Sequence, residues 1–107
     1  MNILTLHSLI LDARECDTLE LFALECGGSL PESIPEERSM DVLAAIYSFS
    51  RDYTFSRVRN ISGMTQQRFA WEYNIPLRTI ENWDAGTRTP PNYVLELLFL
   101  AELNQIR

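Results

Sequence analysis

The chain has no lysine among its 107 residues, a single histidine, two cysteines and four glycines. His7 has no cysteine or second histidine at metal-ligand spacing, so no metal centre is expected. Cys16 and Cys26 carry no accompanying sign of secretion. They are expected to be buried thiols on helices rather than a disulfide. There is no Gly-rich phosphate loop, no Cys/His dyad and no convergent set of nucleophile, base or metal ligands, so neither an enzyme nor a cofactor is expected. No apolar run approaches the roughly 18 residues of a membrane span. The opening MNILTLHSLIL lacks a basic flank and a small-residue cleavage site, and a cytoplasmic location is the expectation.

Without lysine, all nine cations are arginines, set against fifteen acids for a formal net charge of −6. An acidic chain is a poor starting point for binding nucleic acid, since phosphate neutralisation supplies most non-specific affinity. The acidity is unevenly placed. Residues 1–50 hold two arginines against nine acids, whereas residues 51–88 hold six arginines against four acids, a balance of +2.

The apolar pattern predicts an all-α chain. Ile3, Leu6, Ile10 and Ala13 form one stripe, and Leu19, Phe22, Ala23 and Cys26 another. Asp17-Thr-Leu-Glu20 reads as a capping box, favouring two helices with a break near Cys16 over one continuous helix. The segment GGSLPESIPEER, residues 27–38, reads as a linker that Leu30 and Ile34 can pin to a neighbour. Ser39 is expected to cap a helix carrying Val42, Leu43, Ile46, Tyr47 and Phe49. A stretch from about Tyr53 turns Phe55, Val58 and Ile61 inward and Arg57 and Arg59 outward, either as a separate helix or as the second limb of a bent one. The expected organisation is an acidic helical segment with its linker, 1–38, ahead of a helical domain, 39–107.

The stretch MTQQRFAWEYNIPLRTIENWDAG, Met64–Gly86, carries the most information. Thr65 is a helix cap, and Phe69, Ala70 and Tyr73 fall on one buried face. Asn74 suits a left-handed turn, and Pro76 ends one helix and opens the next. Ile80 and Trp83 face inward, leaving Leu77, Arg78, Thr79 and Asn82 outside. Gly86 stops the second helix, and Pro90-Pro91 mark a loop. The final helix, about Asn92 to Ile106, is apolar nearly all round, with Glu96, Glu102, Asn104 and Gln105 as its polar positions. Its second side needs the N-terminal helices, a second subunit, or both. Trp71, on the first motif helix, suggests a cover from the acidic N-terminal segment.

These residues resemble the helix-turn-helix of the lambdoid-repressor/Cro (XRE) type. The match runs through Thr65-Gln66, Phe69-Ala70, Asn74 in place of the turn glycine, Ile80, Trp83, Asp84-x-Gly86 and Pro90, within about residues 53–103, roughly half the chain. Pro76 stands where many members have a capping Ser or Thr, so the second helix lacks that cap. The resemblance implies a compact five-helix-type domain, a second helix entering the DNA major groove, and often a dimer contact in the last helix. Carried onto this sequence, Arg78 pairs with guanine, Asn82 reads adenine, and Leu77 or Thr79 touches a thymine methyl. Gln66, Gln67 and Arg88 become phosphate contacts.

Three functions are compatible with this reading. One is a dimeric repressor of double-stranded DNA. Another is an antitoxin of the same fold whose acidic half also binds a protein. The third is an acidic inhibitor that occupies the basic groove of a nucleic-acid enzyme.

Overall fold

The computed structural model describes residues 1–105. These form an all-α fold, and the part of the last predicted helix at Ile106 lies outside them. Side chains cap the starts of four of the helices, Asn2, Thr18, Thr54 and Thr65 each accepting from an amide of the first turn. Asn2 caps α1, Ile3–Arg14, by accepting from the Thr5 amide at 2.9 Å. Thr18 caps α2, Leu19–Cys26, by accepting from the Leu21 amide at 3.1 Å. The cap is therefore Thr18 and not Asp17, because it is the Thr18 hydroxyl that reaches the third amide of the turn. Cys16 falls in the bend between the two helices rather than on either. Gly27–Ser29 and Glu36–Arg38 are short 3-10 turns within the linker.

In α3, Ser39–Arg51, Ser39 is the first helical residue and not the cap; its hydroxyl points back to the Pro35 carbonyl at 3.5 Å. The chain breaks at Asp52 and restarts at Thr54, which caps α4, Phe55–Ser62. Residues 40–62 are thus two helices. Gly63, at φ +72°, closes α4 in the left-handed conformation that a side chain rarely adopts. After α5, Gln66–Tyr73, and α6, Leu77–Ala85, a loop containing Pro90-Pro91 leads into α7, Asn92–Leu103.

One apolar cluster runs through the chain. Leu6, Leu9, Ile10 and Phe22 from α1 and α2 belong to it together with Ile46, Phe49, Phe69, Ile80 and Phe99. The N-terminal helices are therefore part of the core: α1 packs on α3 and α7, and α2 on α3. Phe49 lies against Phe99 and stacks on Tyr53, with ring centroids 4.4 and 4.7 Å away. Arg51 caps the end of α1 from outside, donating from Nη2 to the Ala13 carbonyl at 2.8 Å and to the Cys16 carbonyl. That is a favourable place for a cation.

The polar reading of α7 needs correction. Glu96 and Glu102 are buried, not surface residues. Glu96 accepts from Tyr53 Oη and pairs with His7 Nδ1 at 2.8 Å. Glu102 accepts from Tyr73 Oη. A carboxylate tolerates burial when its lone pairs are occupied in this way. These contacts, with the packing of α1, cover one side of α7, while Tyr93 and Leu97 stay exposed on the other.

Candidate nucleic-acid interface

The segment from Thr65 to Gly86 is held together by side chains that hide behind it. Thr65 caps α5, accepting from the Arg68 amide at 3.1 Å. Asn74 then enters the left-handed region at φ +52°, and Ile75 N–H returns to the Ala70 carbonyl at 3.0 Å, closing the turn. Pro76 sits in extended geometry just before α6 and offers its carbonyl to the Thr79 and Ile80 amides. It offers no side-chain acceptor, so the first turn of α6 has no side-chain cap for its leading amides. Gly86, at φ +76°, ends α6.

Two layers fix α6 from behind. The apolar one is Ile80, fully buried, with Trp83 packed on Phe55 at 5.3 Å between ring centroids and Phe55 edge-on to Phe69 at 5.2 Å. The polar one centres on Asp84. Its carboxylate accepts from Arg59 Nε at 2.6 Å, Gln66 Nε2 at 2.8 Å and Ser56 Oγ at 3.0 Å. One side chain thus joins α4, α5 and α6. Arg59 also donates to the Met64 carbonyl at 3.0 Å, so it is drawn inward and does not stand free in solvent as its outward position on α4 suggested.

The remaining sequence-selected residues separate into two groups. Gln67, Leu77, Arg78 and Arg88 are exposed. Thr79 and Asn82 are half-buried. Thr87 Oγ1 donates to the Asn82 carbonyl at 3.2 Å and lies 3.4 Å from Asn82 Oδ1, orienting that carboxamide. Gln66 is the departure from expectation: its carboxamide nitrogen is engaged by Asp84, so the side chain braces the motif.

No family model, curated protein or solved structure matches this chain.

The electrostatics resolve the weak balance of +2 into a local pattern. Arg57 pairs with Asp52 at 3.3 Å, Arg59 with Asp84 and Arg68 with Glu72 at 2.7 Å, while Arg51 serves the end of α1. Among the described residues, Arg78 and Arg88 make no ion pair. The unopposed positive charge therefore lies at the start of α6 and in the loop beyond its end. Glu81 is the exposed acid between them. Sequence reasoning passed over Asp84 and Glu81 as site residues. Asp84 had a signal, as the acid of the acidic-x-Gly stop, but its partners on α4 are remote in sequence.

Trp71 is 77% exposed on α5, so the acidic N-terminal segment does not cover it. That segment is occupied instead with α3 and α7. Among the described residues, no helix is long and apolar enough to cross a membrane.

Proposed function

We propose that this protein is a sequence-specific DNA-binding regulator, a repressor acting in the cytoplasm as a homodimer, which reads the major groove with α6. The observation that carries the reading is the presentation of α6. Its inner face is fixed by Ile80, Trp83 and Asp84, and its outer face offers Leu77 and Arg78 with an unpaired guanidinium. A helix held by packing and hydrogen bonds on one side can place base-reading side chains reproducibly, which is what discrimination requires.

The roles follow from position. Arg78, second in α6, approaches the groove first and pairs with guanine O6 and N7. Leu77 supplies apolar contact to a thymine methyl, with Thr79 beside it. Asn82, oriented by Thr87, reads adenine from one turn further along. The uncapped amides of α6, Gln67 at the start of α5, and Arg88 meet phosphates. Two arginines without an ion pair in and just after α6, Arg78 and Arg88, give modest affinity, which favours a dimer on a two-fold symmetric site. Tyr93 and Leu97, exposed on α7, offer the apolar surface for that contact.

Selection of bound fragments from a random DNA pool tests the proposal. The expected result is a palindromic site with half-site centres about 34–36 Å apart. Recovery of unenriched sequence after repeated rounds at low salt would rule the reading out.

A further inference from the structure

A cavity of about 390 Å³ opens beside the end of α6, at the opposite end of that helix from Leu77 and Arg78. It lies where the start of α4, the end of α6, the following loop and the start of α7 meet. Buried Phe55, Pro90 and Leu95 line it together with Tyr53 and Trp83. Ala85, Gly86, Thr89 and Asn92 also line it and are exposed. The rings are braced from behind. Tyr53 stacks on Phe49 at 4.7 Å, Trp83 packs on Phe55 at 5.3 Å, and Phe55 lies edge-on to Phe69 at 5.2 Å. Walls held in this way cannot move inward to fill the space without giving up those contacts, so the cavity is pre-formed.

Size, charge and lining together say what it takes. Small-molecule sites begin at about 300 Å³. A dry apolar cavity of about 150 Å³ is enough for benzene. The volume here therefore suits a compound of one or two rings. Asp84 is the one charged residue of the lining, and its carboxylate already accepts from Arg59, Gln66 and Ser56. An anion would face that carboxylate, and a cation would have to displace Arg59 from it. Either charge is disfavoured. The aromatic walls favour an aromatic occupant, and Thr89 and Asn92 can meet a hydrogen-bonding group at its edge. We infer that this cavity binds an uncharged aromatic compound of one or two rings that bears a hydrogen-bonding group. Trp83 and Asp84 also hold α6 from behind, so an occupant touches the residues that position that helix.

The test titrates the full chain with indole and follows it by two-dimensional NMR. The expected result is saturable binding with a dissociation constant below about 1 mM and amide shifts at Ser56, Ala85, Gly86, Thr89 and Asn92. A hydroxymethyl indole, neutral and of similar bulk to the charged controls, should bind like indole. An indole carboxylate and an aminomethyl indole should each bind at least about tenfold more weakly. Cyclooctanol, similar in size but not aromatic, should bind at least about threefold more weakly. Thr89→Phe brings a ring to the opening and should lose at least about tenfold in affinity. Because Thr89 is exposed, the melting temperature should be unchanged. If the variant melts early, the shift map and the charged controls on the wild-type chain decide alone. Absence of saturable binding, shifts confined to other surfaces, or equal binding of the charged indoles would overturn the inference. So would equal binding by a folded Thr89→Phe protein. Every readout is taken without DNA, so the result is separate from the DNA reading of α6.

Discussion

The Arg59 guanidinium and the Asp84 carboxylate meet at 2.6 Å across 25 positions of sequence, both largely out of solvent. This contact, rather than any on the exposed surface, sets where α6 stands relative to α4. Removing one member of such a pair leaves the other under-solvated, which is more damaging than never having had the pair. Asp84→Asn should therefore destabilise the fold by about 3 kcal/mol, the low end for a buried pair because the Arg59 side chain keeps some contact with solvent. It should also loosen α6 and weaken DNA binding, although the loss of a negative charge by itself would favour binding. Urea denaturation of the variant checks the first part, and an unchanged midpoint would show that the pair is incidental.

Alkaline pH should act through two tyrosines. The Tyr53 and Tyr73 hydroxyls are pushed well above the usual tyrosine range, first by burial and then by donating to Glu96 and Glu102, whose charge opposes ionisation. An unfolded tyrosine ionises near pH 10. Their contribution is therefore fully present below about pH 10 and declines as pH rises toward the higher folded value. Thermal melts across this range should show a falling stability. The slope should be shallower in a Tyr53→Phe/Tyr73→Phe protein, which has neither group to titrate. A double variant with the same alkaline slope would mean other groups control it.

The exposed indole of Trp71 should behave as a solvent-accessible reporter. Its emission should be quenched by iodide far more readily than that of Trp83, which packs on Phe55. Trp71→Gln should change stability by no more than about 0.5 kcal/mol. Protection of Trp71 in the free protein would mean that another segment folds over it.

How far the sequence predicted this structure depended on the range of the interaction. Thr65, Asn74 and Gly86 act through their own backbone and the next turn, and all three occur where the pattern placed them. The inward face of Phe69, Ala70 and Tyr73 on α5, and that of Ile80 and Trp83 on α6, are likewise a matter of helical period. Local chemistry was less decisive at Thr18, which has Asp17 beside it as a second candidate, and at Ser39, where the 3-10 turn Glu36–Arg38 runs directly into α3 without a side-chain cap. Long-range contacts were not visible at all. Glu96 is drawn into the core by His7 and Tyr53, 89 and 43 residues away, and a lone glutamate on an apolar helix carries no mark of that. Gln66 was placed on the right helix, but its direction depended on Asp84.

Competition binding with the Arg78→Ala protein bears most directly on the claim that α6 reads bases. Wild type, Arg78→Ala and Arg88→Ala should each be titrated with the selected site, single-base variants of it and scrambled DNA over a range of salt. Arg78→Ala should keep its fold and lose about 1–3 kcal/mol of discrimination at one base pair of each half-site. Arg88→Ala should weaken every sequence alike and reduce the salt slope by about one. An Arg78→Ala protein that discriminates among these DNAs as well as wild type would contradict the account, because the one unpaired guanidinium on α6 would then play no part in reading sequence.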